Sequence, residues 1–334
     1  MGNNRNSGSI IHNNNCSKRI PKDILPADDA FHGSAKHVAA EWWYFDAVFT
    51  NNCSLHIGCR TFSKKNFGIV SPFLEIYKDG KLEIEKVKRY FFRDFQTSLD
   101  FPLVKLSSDT IIEFDRKRYQ DKKEWVYKLS LDIDDHQINL KFIGTTKGWK
   151  YETNAESWTV ALPKASVTGE IKIHGDKMKV QGIGYHDHNW NYTIWTPITY
   201  GKAWYWGKII SKTFNVSWAK IMKTSSKEEL LAVVNQDDKG YFPINPDNIH
   251  FKPDKFVYSH RKKIPTSFTL KIDDISGGIP IDVDIQMDTY DMHYSKALFF
   301  PYWRHHVKSV GYISVGSHKE VVNNTQIMEY LKFG

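Results

Sequence analysis

The chain has 334 residues, of which 41% are hydrophobic and 14% aromatic, and it carries a formal net charge of +8. At roughly 100 to 200 residues per domain, that length favours two domains, each able to bury its own core. The basic residues fall in short scattered runs, such as DRKRYQDKK at 115–123 and SHRKK at 259–263, and form no stripe that could follow a nucleic acid backbone, so no nucleic acid partner is expected.

Cys16, Cys53 and Cys59 make neither a CxxC pair nor an even disulfide framework, which sets a reducing, cytoplasmic location as the default. The opening MGNNRNSGSIIHNNNCSKR lacks the apolar core of an export signal, and no stretch reaches the ~18 apolar residues of a membrane helix.

Residues 1–24 are rich in Asn, Ser and Lys with little to bury, and read as a mobile tail. From Glu41 onward, short runs of β-branched and aromatic residues recur between turn signals: EWWYFDAVF, SLHIGCRTF, GIVSPFLEIY, KLEIEKVKRYFF, EWVYKLSLDI and INLKFIG. The Asp-Gly of KDGK at 78–81 marks a tight hairpin between antiparallel neighbours. The series continues through SWTVALP, SVTGEIKIHG, KMKVQGIGYHDHNW, AWYWGKIIS, TFNVSWAKIM, SFTLKIDD, IPIDVDIQMD and KSVGYISVG to QIMEYLKF. SKEELLAVV at 226–234 suits a short helix or a buried strand equally. Strands at this spacing without alternating helices predict an all-β protein of barrels or sandwiches. EWWYFDAVF and AWYWGKIIS each open a run of strands with clustered tryptophans, which suggests two tandem units, 25–195 and 196–334.

GIGYHDHNW at 182–190 is the densest polar and aromatic stretch. As a strand, it places His186, His188 and Trp190 on one face and Tyr185, Asp187 and Asn189 on the other. His-x-His can present two nitrogens to a metal, with His305 or His306 as a further ligand, but nothing ties those segments together and no metal is assigned. No serine sits in a Gly-x-Ser-x-Gly elbow, and the GIG precedes more strand instead of a helix, which excludes a dinucleotide fingerprint. No cofactor is expected. A satisfied hydrogen-bond network at a domain junction is the plain structural alternative. Trp190, Trp195, Trp204, Trp206 and Trp218, with Trp42 and Trp43, could instead line an apolar pocket carrying a few convergent polar groups.

LPADDAFHGSAKHVAAEWWYFDAVF, SWTVALPKASVTGEIKIHG, GIGYHDHNW and WYWGKI together resemble the lipocalin-like hydratase family, which includes carotenoid 1,2-hydratase, AttH-like proteins and lipocalin-like Diels-Alderases. The resemblance covers about residues 25–334 and implies two tandem lipocalin-like β-barrel or β-sandwich domains with the ligand pocket near their junction. It also implies acid-base chemistry on an apolar isoprenoid, polyene or lipid substrate, a class compatible with peripheral membrane contact. In such chemistry a buried acid protonates a double bond, aromatic faces stabilise the cation, and a base activates water. His188 and Trp190 match the positions the family uses for water activation and cation stabilisation, and Glu41, Trp42, Trp43 and Tyr44 match its first pocket strand. The hydratases carry a Tyr-x-Asp pair on the strand after the Trp-rich segment, where this chain has TFNVSWAKIM, with Asn215 and Ser217 nearest in position.

The expected catalytic residues are therefore His188, Asp187 and Glu41. The expected substrate contacts are Trp42, Trp43, Tyr44, Tyr185, His186, Trp190, Trp204, Trp206 and Trp218. A non-catalytic carrier and a cofactor-free pericyclase stay open as alternatives, as do the substrate and the oligomeric state.

Overall fold

The computed structural model describes residues 20–333, apart from 35, 153–155, 194, 197–201, 224–227 and 298–299. It is built from a 13-stranded and a 9-stranded sheet. The strands form where the sequence alternates. In Val126–Ile133, Tyr127, Leu129, Leu131 and Ile133 are buried while Lys128, Ser130 and Asp132 face solvent, the period-two pattern of a sheet with one face on a core. The Asp79-Gly80 turn, with both residues at positive φ, joins Phe67–Lys78 to Lys81–Val87, as a two-residue hairpin requires.

Both sheets follow one plan. In the first, strand Ala39–Phe49 pairs antiparallel with Cys53–Lys64 on one side and with the last strand of the sheet, Asp176–Thr193, on the other. In the second, strand Ala203–Ile210 pairs with Phe214–Met222 and with the last strand, His318–Lys332. The two tryptophan-rich segments that echo each other in sequence are thus the equivalent opening strands of two tandem lipocalin-like units. Each sheet curls around its own core, one containing Trp43, Phe45, Leu129 and Phe142, the other Trp218, Phe268, Ile285 and Trp303. A third cluster, with Tyr44, Trp149, Tyr185, Trp206 and Val233, joins the sheets.

Several expectations are corrected or resolved. Residues 1–19 of the proposed tail lie outside the described residues, but Lys22 forms a backbone bridge to Lys150 and Asp23 accepts hydrogen bonds from Lys147 and Tyr241, so the end of that segment is docked. Glu228–Gln236 is a strand, paired along Phe214–Met222. The basic run at 115–123 holds a short helix, Arg116–Lys122, because the Asp115 side chain caps the Arg118 amide and Lys123 takes the left-handed conformation that ends it. Most of the linker segment around 197–201 lies outside the described residues. Among the described residues, no helix is long and apolar enough to cross a membrane.

Candidate active site

Alternation along two paired strands splits the expected site between two environments. On Ala39–Phe49 and Asp176–Thr193, the residues Glu41, Trp43, Phe45, His186 and His188 point into the first barrel. Trp42, Tyr44, Asp46, Tyr185, Asp187 and Asn189 point toward the second sheet, with Tyr44 opposite Asp187 and Trp42 opposite Asn189.

The inner group fastens the chain at 26–33 to the barrel. Glu41 accepts the backbone N–H of His32 and of Gly33, each at 2.8 Å, and its carboxylate lies 2.9 Å from His188 Nε2. Asp29 accepts from Tyr127 at 2.6 Å and lies 3.0 Å from His186 Nε2, while Trp43 donates to the Asp29 carbonyl at 2.9 Å. His188 stacks on Trp43, His186 on Phe45 and His32 on Trp190. Burial would raise the Glu41 carboxyl, but the hydrogen bonds from His188 and His32 outweigh it and hold the group down at about 2. His32, Glu41 and His188 are close enough to share a cation. Both Glu41 oxygens are nevertheless engaged by backbone N–H groups, while His32 Nδ1 and His188 Nδ1 are buried without a hydrogen-bond partner among the described residues.

The outer group lines a cavity between the sheets that encloses about 700 Å³, counting its open mouth. Trp42, Tyr44, Trp158, Trp204 and Trp206 form aromatic walls, and Glu156, Asp187 and Glu329 are its acids. A second hollow of about 500 Å³ shares the Trp42, Tyr44, Trp204 and Glu329 walls and reaches His56 and Tyr302. Asp187 is 4% exposed and accepts from Trp158 Nε1 and Tyr185 OH at 2.8 Å and from Asn189 Nδ2 at 3.1 Å. Burial raises its carboxyl to about 7, against the opposing pull of the Trp158 and Tyr185 hydrogen bonds. At neutral pH the group is poised between acid and base.

Beside the cavity lies a buried ionic network that spans both sheets. Asp46 pairs with Lys208, Glu329 accepts from Tyr44 at 2.9 Å and from Arg304 at 2.8 Å, and Arg304 also faces Glu75 at 3.5 Å. These cations compensate their acids, as buried charges require.

Of the expected substrate contacts, Trp42, Tyr44, Trp204 and Trp206 line the cavity and Tyr185 stands behind Asp187. The others do not. Trp43, His186 and Trp190 belong to the inner network, because the strand's alternation turns them away from the junction. Trp218 is core of the second barrel, tilted against Phe251 with ring centroids 4.5 Å apart and packed against Gly207, where a Cβ would meet its ring at 2.7 Å. His188 and Glu41, expected to act catalytically, are likewise sealed inside the first barrel, leaving Asp187 as the expected catalytic residue that reaches the junction. His305 and His306 lie on the second sheet, with His306 3.1 Å from Ser54 Oγ, and among the described residues no group of potential metal ligands joins them to the His-x-His pair. Sequence reasoning did not anticipate Trp158, His56, Glu75, Arg304 or Glu329. Trp158 could have been found by its alternation within SWTVALP, but the others are assembled by contacts across the sheets.

The fold and the aromatic, acid-bearing cavity between its sheets define a two-domain lipocalin-like protein with a junction pocket. Solved structures of that kind match nearly the whole chain. An AttH-type protein of Nitrosomonas europaea, NE1406, matches with a TM-score of 0.64 at 15% identity, covering 94% of this chain and 98% of that one. CghA in complex with Sch210972 matches at 0.63 and 10% identity, over 95% and 96%. Kievitone hydratase of Nectria haematococca matches at 0.54 and 14%, over 94% and 97%. No family model matches the chain. The quinolone epoxide rearrangement protein penF of Penicillium thymicola is 24% identical over 116 residues, so the match spans only 33% of this chain and 32% of that protein. The resemblance to the lipocalin-like hydratase family holds in the fold over 94–95% of the chain.

Proposed function

We propose that the protein is a hydratase- or cyclase-like enzyme in which Asp187 is the proton donor to an apolar isoprenoid or polyene substrate held in the aromatic cavity between the sheets. One observation carries this reading: a buried carboxyl raised to about 7 faces a cavity walled by Trp42, Trp158, Trp204 and Trp206. An alkene is a weak base, so its acid must remain protonated at neutral pH in a dry site. Asp187 Oδ2 already accepts two hydrogen bonds and Oδ1 only one, so Oδ1 is the atom with room to carry the proton. The indole faces would stabilise a developing tertiary cation. The strand Phe214–Met222, which lacks the family's acid, presents Ser217, Ala219 and Ile221 on its junction side, so Asp187 supplies the missing group from across the cavity. The lipocalin-like hydratase and the other fold relatives support this reading without fixing the substrate.

The test uses geranylacetone, farnesol and squalene in D2O, scoring deuterium incorporation and hydrated or cyclised product. The parent protein is expected to turn over at least one of them. Asp187→Asn should reduce that turnover by roughly 10²- to 10⁴-fold, the usual worth of a general acid, while ligand-induced quenching of tryptophan fluorescence persists. Undiminished turnover by Asp187→Asn would refute the assignment. Tight binding by the parent without any turnover would make the protein a carrier.

A further inference from the structure

Hydration needs a base for the attacking water, and His188 cannot serve because it is sealed in the first barrel. We propose that His56 is that base, acting from the adjoining hollow that shares Trp42, Tyr44, Trp204 and Glu329 with the cavity, with Glu75 fixing its tautomer and Tyr302 holding the water. This inference rests on the reading of Asp187 as the acid.

His56 lies on Cys53–Lys64, opposite Asp46, with its ring 4.5 Å from that of Tyr44 and 4.6 Å from that of Phe73. Its Nδ1 is 3.0 Å from Glu75 Oε2, which also accepts from Tyr77 OH at 2.6 Å. Burial alone would raise the Glu75 carboxyl, but His56, Arg304 and Tyr77 hold it well below the usual carboxylate range. An ionised carboxylate can only accept, so the His56 proton must sit on Nδ1. Burial, reinforced by the Arg304 charge, pushes the imidazole below its ordinary value and keeps it neutral. Nε2 therefore presents a bare lone pair.

Among the described residues, neither His56 Nε2 nor Tyr302 OH has a hydrogen-bond partner, although both atoms are buried and both residues line the smaller hollow. Desolvation keeps the Tyr302 hydroxyl protonated. A water donating to Nε2 and accepting from Tyr302 satisfies both atoms. This carboxylate-oriented imidazole recurs wherever a histidine must take a proton from an attacking oxygen.

The step balances. The Asp187 proton and the alkene π pair form the new C–H bond, and the water lone pair forms C–O at the resulting cation. The water's proton passes to His56 Nε2 while Nδ1 keeps its own proton, hydrogen-bonded to the Glu75 carboxylate. Proton return through solvent restores both groups, and the sum is alkene plus water giving alcohol.

The test compares His56→Ala and Asp187→Asn with the parent, using geranylacetone in D2O and separating alcohol formation from deuterium exchange into recovered alkene. His56→Ala should lose alcohol formation by roughly 100-fold or more, keep deuterium exchange, and recover part of its hydration when imidazole is added. Asp187→Asn should lose both. A folded His56→Ala that makes alcohol at the parent rate, with Asp187→Asn inactive, would overturn the role of His56 alone. An active Asp187→Asn would instead overturn the acid on which it rests. Nitrogen-15 NMR of the histidine-labelled parent provides a readout independent of turnover and of the variant's folding. An Nδ1–H tautomer at His56 supports the assignment, and a proton on Nε2 refutes it.

Discussion

Asp187→Asn should change the pH dependence of stability in a direction opposite to that of most acidic residues. The carboxyl is raised to about 7 from an ordinary 3.8, so between those values the folded chain holds a proton that the unfolded chain has released. Stability from this group is therefore fully present below the unfolded value and lost as pH rises through the folded one. At 1.36 kcal/mol per pKa unit the whole difference is about 4 kcal/mol, of which about 3 kcal/mol falls between about pH 5 and pH 7. An amide at this position cannot ionise and escapes that loss. Urea denaturation of parent and Asp187→Asn across this range gives the difference between the two profiles, in which all other titrating groups cancel. The variant should gain on the parent by about 1.4 kcal/mol per pH unit up to about pH 7 and hold level above it. Parallel profiles would show that Asp187 ionises normally, and the case for a proton donor in this cavity would fall with it.

Three other outcomes follow from the same geometry. Glu41 is held down at about 2 despite its burial, so it contributes stability above its unfolded value of about 4.5 that is lost as pH falls toward 2. Glu41→Gln should weaken that acid dependence by about 3 kcal/mol in acid unfolding curves. His188→Ala should lower the melting temperature through loss of the ring stacked on Trp43 and bonded to Glu41, yet leave the turnover of the folded fraction within about threefold, well short of the ~10²-fold loss of a general base. Arg304→Met strands Glu329 and Glu75 without their shared cation and should cost about 3 to 5 kcal/mol in chemical denaturation.

The fold was legible because its signals are local. Alternating strands, the Asp79-Gly80 turn of the first sheet and the tryptophan-rich opening strand of each sheet all depend on neighbours within a few residues. The site was legible only in part. Period-two alternation correctly placed His188 and Asp187 on opposite faces of one strand. It could not say which face meets the second sheet, because in this two-sheet assembly both faces of Ala39–Phe49 are buried and hydrophobicity labels neither. His188, Glu41 and Trp43 therefore looked like pocket residues when they close a barrel. Arg304 stands in YWRHHV, where the adjacent histidines drew the metal reading, and its role depends on Glu75 and Glu329 from two distant strands.

The distribution of charge at the junction explains why one acid there differs from the rest. Asp46 has Lys208, and Glu75 and Glu329 share Arg304, so burial of each carboxylate is offset by a buried cation. Asp187 receives hydrogen bonds only from the neutral donors Trp158, Tyr185 and Asn189, and no lysine or arginine pairs with it among the described residues. Three neutral donors favour the ionised form but do not cancel full desolvation, and so its carboxyl is raised. The same packing that joins the two sheets thus sets Lys208 or Arg304 beside three of these acids and leaves Asp187, at the aromatic cavity, with neutral donors alone.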